Sequence, residues 1–196
     1  MKFVLATANP GKIKEMRDIL GRMGFDVVSR SDVGVDFDIE ETGTSFKENA
    51  MLKAQAICKA TGLPAIADDS GLVVDALGGE PGVYSSSYGS AEFNDIQRCD
   101  YLIKKMQGME QRAAKFVCTI ICLFPNGESI VSEGECYGEI LGEPRGTSGF
   151  GYDPVFLVSD LGKTMAELSA DEKNEVSHRG NALRKFAEGM HERRLI

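Results

Sequence analysis

Long basic runs are missing from this chain, and 22 Lys and Arg stand against 30 Asp and Glu, a formal net charge of −8. Such a surface offers no stripe to neutralise a nucleic-acid backbone, so DNA and RNA binding are excluded. A small polyphosphate is not excluded, because a few cations and a divalent metal can gather in one pocket of an acidic protein. Tryptophan is absent, and histidine occurs only at His178 and His191. Neither histidine is placed to complete a zinc set with Cys118 and Cys122, whose spacing falls in the strand-like run Phe116 to Leu123. The five cysteines are odd in number and mostly sit in apolar stretches, which reads as reduced core thiols and a cytoplasmic location. No apolar run reaches the length of a membrane span. Met1 to Ala6 gives a single strand length before turn residues begin, too short for a signal-peptide core.

What is present is a chain of 196 residues, enough to bury a sizeable core, and residues 1–196 are expected to form one α/β domain. Lys2 to Ala6 reads as a buried strand. Ile13, Met16, Ile19, Leu20 and Met23 then recur at helical spacing, so Thr7 to Lys12 is a strand-to-helix turn, a common place for ligands. Ser45 and Glu48 have capping-box spacing at the start of a second helix that runs to Gly62, with Pro64 just beyond. Ala65 to Ala67 and Leu72 to Val74 are expected as two short strands flanking an acidic turn, Asp68-Asp69-Ser70-Gly71. A third helix places Ile96, Leu102, Ile103 and Met106 on its inner face. A long strand, Lys115 to Phe124, leads through the turn Pro125-Asn126-Gly127 to a strand with one wet face, Ser129 to Ile140, and this hairpin is expected to project as an arm. Gly142 to Gly151 reads as a mobile, lid-like loop before a strand at Val155 to Val158. Leu183, Phe186, Ala187 and Met190 mark an amphipathic C-terminal helix, and the charged tail His191-Glu192-Arg193-Arg194 is its solvated end.

Four clusters could carry chemistry. Thr7-Ala8-Asn9-Pro10-Gly11-Lys12 sets a hydroxyl, an amide, a glycine and a lysine at a helix N-terminus, where unpaired N–H groups and the dipole attract phosphate. Taken alone it is equally an ordinary helix cap, and it lacks the glycine spacing of a Walker A loop. Asp68 and Asp69, with Glu40 and Glu41 upstream, supply carboxylates on two segments that could converge on one hard cation, or could be solvated turn charges. Phe150 and Tyr152 flank Gly151 ahead of Asp153, so two rings could sandwich a planar base or serve as core aromatics. His178 and Arg179 at a helix start offer donors to a purine carbonyl oxygen, or cap the surface.

In order along the chain, Thr7-x-Asn9-x-x-Lys12, Glu41 with Phe46-x-Glu48-Asn49-Ala50, Ala67 to Leu72, Pro81-Gly82-Val83-Tyr84-Ser85, Gly149 to Pro154 and Ser177-His178-Arg179-Gly180 closely resemble the inosine triphosphate pyrophosphatase family. The resemblance covers residues 2 to about 187. It implies a two-lobed mixed α/β fold around a long twisted sheet, with the active-site cleft between the lobes, and usually a homodimer. It also implies magnesium-dependent hydrolysis of inosine and xanthosine triphosphates and their deoxy forms to monophosphate and pyrophosphate. Carried onto this chain, the resemblance makes Asp69 the proton acceptor for water, and Glu41 and Asp69 the metal ligands. Thr7, Ala8, Asn9, Pro10, Gly11 and Lys12 take the triphosphate, and Ser70 touches substrate. Phe150, Gly151, Tyr152, Asp153, Lys173, His178 and Arg179 hold the base; some relatives carry tryptophan where Tyr152 stands. Rival readings are the related Maf family of pyrophosphatases, a non-catalytic nucleotide-sensing module, and a small-molecule kinase, for which no phosphate loop of Walker type is visible.

Overall fold

Strand β1 (Lys2–Leu5) opens the chain and is followed by helix α1 (Pro10–Arg22), the strand-to-helix turn expected from the apolar spacing. The computed structural model describes residues 1–193, so Arg194 in the charged tail lies outside the described residues. The other elements are β2 (Asp26–Ser29), α2 (Phe46–Thr61), β3 (Ala65–Val74), α3 (Asp95–Lys105), β4 (Ala113–Leu123), β5 (Ser129–Ile140), β6 (Phe156–Val158), α4 (Ala170–Val176) and α5 (His178–Glu192). The six strands form one mixed sheet in the order β2-β1-β3-β4-β5-β6. β1 runs parallel to β2 and β3, while β5 and β6 are antiparallel.

The chain divides into two compact units, each discontinuous in sequence. One holds Met1–Asp69, Cys118–Gly134 and His178–Ile196; the other holds Ser70–Val117 and Glu135–Ser177. In the first unit, strand alternation sorts side chains onto two faces. Phe3 and Leu5 of β1 and Ile66 of β3 pack with Met16, Ile19 and Leu20 of α1 and with Leu183, Phe186 and Met190 of α5. Val4, Ala6, Ala65 and Ala67 face the other way, onto Ala50, Ala54 and Ile57 of α2. Each large fully buried side chain here contributes about 1.5–3 kcal/mol relative to exposure. The helix ends follow local chemistry: Asn9 caps α1 ahead of Pro10, Ser45 caps α2, and Gly62 closes α2 in the left-handed region at φ 66°.

The second unit has its own core. Leu72 and Val74 of β3 join Cys99, Leu102 and Met106 of α3, Phe116 of β4, Ile140 of β5, and Tyr152, Val155 and Phe156.

Four expectations are corrected. Asp68 to Gly71 is not a turn: β3 runs unbroken through it, with Asp68 fully buried and Asp69 nearly so. The turn-forming composition is overridden because cations reach both carboxylates. The β4–β5 hairpin is not an arm, since Phe124 and Ile130 near its tip belong to the same cluster as Phe3 and Met190. The glycine-rich stretch from 142 is exposed but pinned, because Arg145 N–H donates to the Pro154 carbonyl (2.8 Å), the Thr164 hydroxyl to the Arg145 carbonyl (2.8 Å), and Ser148 N–H to the Ala166 carbonyl (3.2 Å). Ile96 is 73% exposed, because the buried stripe of α3 is Arg98, Cys99 and Leu102 and the first turn presents Ile96 outward.

Candidate active site

In the first unit, two ion-pair systems stand on opposite faces of β3. Asp68 shares the face of Ile66, towards α1 and α5. Its Oδ2 receives Lys12 Nζ at 3.0 Å and Arg179 Nη2 and Nε at 2.9 and 3.3 Å, and Arg179 Nη1 also reaches Glu15 Oε2 at 2.5 Å. Burial alone would raise the Asp68 pKa, but Lys12, Arg179 and Lys53 outweigh it and hold the carboxyl far below the usual carboxylate range. Asp68 is a permanent anion, and it fixes the lysine at the start of α1.

Asp69 shares the face of Ala65 and Ala67, towards α2. Its Oδ1 receives Lys53 Nζ at 3.0 Å and its Oδ2 the Asn49 amide at 3.3 Å, while Lys53 also lies 3.3 Å from Glu41 Oε1. Burial raises the Asp69 pKa; Lys53 and Lys12 oppose it, and the Glu41 charge adds to the rise. Asp69 therefore has the stronger drive of the two adjacent aspartates to take a proton. Asn49 also accepts Gly43 N–H at 2.8 Å, which ties the Glu41-bearing segment to α2.

Sequence reasoning passed over Asn49 as a site residue and missed Lys53. The available signal was their spacing: with Ile57 they recur every four residues, so an amide and an ammonium sit on the stripe that buries Ala50, Ala54 and Ile57. Polar side chains on an apolar stripe need partners, and the partner is Asp69.

Thr7 to Lys12 form the β1–α1 junction. The Thr7 hydroxyl accepts Asn9 N–H at 3.2 Å, and Asn9 Oδ1 accepts Lys12 N–H at 3.1 Å, leaving the Asn9 amide group as a donor. Ala8 and Pro10 are exposed and Gly11 half-buried at the N-terminus of α1; Ser70 is half-buried on β3. His178, buried at the first turn of α5, is set by a close backbone approach, since a Cβ on Gly134 would lie 2.2 Å from the His178 carbonyl oxygen. Arg179 is 1% exposed, and its guanidinium engages Asp68 and Glu15.

The second unit carries the aromatic loop. Asp153 Oδ2 accepts Phe150 N–H at 2.9 Å and pairs with Lys173 Nζ at 2.5 Å, and that ammonium lies 4.7 Å from the half-buried Phe150 ring. Gly149, at φ 81°, could carry no side chain, because its Cβ would stand 2.0 Å from the same Asp153 oxygen. Tyr152 departs from expectation. It is 4% exposed in the apolar cluster and its hydroxyl donates to the Ser85 carbonyl at 2.8 Å, so it is a core aromatic and not half of a base sandwich. Tyr152→Phe is therefore expected to cost about 1 kcal/mol. Thermal melts should show a drop of roughly 2–4 °C with nucleotide affinity unchanged; weakened affinity at an unchanged melting point would return the ring to the base.

The donor set fits a hard cation completed by water and phosphate, and not an all-protein cage. Glu41 and Asp69 already converge on one cation, the Lys53 ammonium. Among the described residues, no group of three or more His, Cys, Asp or Glu side chains is placed to hold a metal. The seven charged side chains of these ion pairs, Lys12, Lys53 and Arg179 with Glu15, Glu41, Asp68 and Asp69, are together one charge negative.

Residues 3–189 match the Ham1 family. The chain belongs to that family. Among Ham1-family relatives, a dITP/XTP pyrophosphatase of Bacillus licheniformis is 50% identical over 186 residues, covering 94% of this chain and 95% of the relative. One from Thermus thermophilus is 49% identical over 190 residues, covering 96% and 91%. The Staphylococcus aureus Ham1 protein superimposes with a TM-score of 0.88 at 41% identity, covering 98% of this chain and all of that one. The motif resemblance and the mixed α/β fold are thereby borne out.

Proposed function

We propose that this protein hydrolyses inosine and xanthosine triphosphates and their deoxy forms to the monophosphate and pyrophosphate, and so clears aberrant purines from the nucleotide pool. The observation that carries the reading is Asp69: a buried carboxylate whose pKa is raised, oriented by Lys53 and Asn49 beside a locked anion-and-cation cluster. It stands in a chain about half identical, nearly end to end, to proteins named dITP/XTP pyrophosphatase.

Asp69 accepts the proton of the attacking water at the junction of the α and β phosphates. Lys53 and Asn49 hold its two oxygens in place. Thr7, Asn9 and Lys12, with the N-terminus of α1, receive the phosphates, and Lys12 stabilises the departing pyrophosphate. Glu41 and Asp69 would hold magnesium, which would supply positive charge to the phosphates. Phe150 stacks on the base, Asp153 and Lys173 fix that ring, and Ser70 touches substrate. His178 offers a donor to the six-position keto oxygen; adenine presents an amino group there, leaving a buried donor unpaired at a cost of about 1–3 kcal/mol. The five cysteines, all free and buried, support a reducing cytoplasm. Exposed Tyr84 and Ile96, at 67% and 73%, support a homodimer surface on their segments.

The test is product analysis with inosine, adenosine and guanosine triphosphates, resolving pyrophosphate from orthophosphate. The expected result is pyrophosphate from inosine triphosphate, at least about tenfold faster than from adenosine triphosphate, and lost on chelating magnesium. Orthophosphate, or binding without turnover, would overturn the reading and favour another phosphohydrolase or a sensing module.

A further inference from the structure

The aromatic loop is held from a second side by the start of α3. Gly151 N–H donates to Asp95 Oδ2 at 2.7 Å, and the Cys99 thiol donates to the Gly151 carbonyl at 3.3 Å. Both polar groups of one backbone residue are thus taken by side chains one helical turn apart. Asp95 is itself aimed: its Oδ1 accepts Arg98 Nη1 at 3.2 Å, and buried Arg98 anchors through Nη2 to the Phe93 carbonyl at 2.6 Å. Burial, then the neighbouring carboxylates of Asp95, Asp100 and Asp153, push the Cys99 thiol up to about 12, so it remains a protonated donor at neutral pH. With Asp153 on Phe150 N–H, the peptide planes on both sides of Phe150 are restrained.

We propose that Asp95 and Cys99 are positioning residues that clamp Gly151 and thereby hold the Phe150 ring in the orientation that receives the base. Neither needs to touch the nucleotide. The inference rests on Phe150 as the base platform. Asp95 suits a test, because its half-exposed side chain contributes no core packing (53% exposed). A carboxylate-to-amide change keeps one acceptor oxygen, enough for Gly151 N–H or for Arg98 but not for both, whereas alanine keeps none.

The experiment compares the full chain with Asp95→Ala and Asp95→Asn. It measures hydrogen exchange of the Gly151 amide without ligand, affinity for inosine monophosphate, KM and kcat for inosine triphosphate, and the melting point. Asp95→Ala is expected to accelerate Gly151 exchange and to weaken monophosphate binding and raise KM by about five- to tenfold, the scale of one lost hydrogen bond. The kcat should stay near that of the parent and the melting point fall by only roughly 2–4 °C, with Asp95→Asn between Asp95→Ala and the parent. Unchanged Gly151 exchange, unchanged affinity, or an Asp95→Asn variant as impaired as Asp95→Ala would each overturn the clamp. Failure of the parent to hydrolyse inosine triphosphate while binding the monophosphate would sink the proposed function alone, since exchange and affinity still read the clamp. Failure to bind the monophosphate at all would sink both.

Discussion

Asp69→Asn is expected to lose about 10²- to 10⁴-fold in kcat, the usual contribution of a positioned general base, while melting within a few degrees of the parent at neutral pH. Loss of activity with retained stability follows from one cause. Burial lifts the Asp69 pKa above its ordinary 3.8, so the folded chain binds that proton more tightly than the unfolded chain does. Between the ordinary and the raised value, stability falls as pH rises, and at neutral pH the ionised side chain is a strain on the fold. Asparagine removes that strain, keeps an acceptor for Lys53 but gives up the one for Asn49, and cannot take the proton. In the parent, kcat/KM should decline on the acid side at a higher pH than an ordinary aspartate would give. Activity within about tenfold of the parent would remove Asp69 from the proton-transfer role; a much lower melting point would mean that its contacts with Lys53 and Asn49 are mainly structural.

Asp68→Ala should act in the opposite way. Removing a buried anion leaves Arg179 and Lys12 facing each other with only Glu15 to balance them, at a cost of about 3–5 kcal/mol. Thermal melts should fall by roughly 10 °C in a chain of this size. The sign of the pH dependence is reversed as well. A depressed carboxylate stabilises the fold above its ordinary pKa of 3.8 and loses that contribution only as pH falls through the depressed value. Melts between about pH 5 and 8 should therefore show no slope from this group. A variant melting within a degree or two of the parent would mean that the two cations find other partners.

The periodic parts of this structure were legible in the sequence. Met16, Ile19 and Leu20 marked the inner face of α1, Ser45 and Gly62 marked both ends of α2, and alternation along Ser129 to Ile140 marked a half-wet strand, all as the structure has them. Two short elements, β2 and α4 of 4 and 7 residues, were not, whereas the short β1 and β6 were read from unbroken apolar runs. The acidic segment of β3 misled for a different reason. Asp-Asp-Ser-Gly reads as a turn because isolated carboxylates avoid burial, and the cations that make their burial tolerable come from Lys12, Lys53 and Arg179, none of them a near neighbour in sequence. Tyr152 and Arg179 show the same limit: residue type suggested exposed binding groups, and their burial against the Ser85 carbonyl and the Asp68 carboxylate was not legible.

The unbroken course of β3 bears on how such a site could be transplanted. On a turn, two consecutive aspartates would share one environment and titrate against each other. On a strand the backbone itself is the partition, giving one carboxylate to α1 and α5 and the next to α2. Neighbours in the chain take different hydrogen-bond partners while still feeling each other's cations, and Asp69 touches Lys53 where Asp68 touches Lys12 and Arg179. A designer who grafts the dipeptide without the strand beneath it carries over the letters and leaves behind the division of labour.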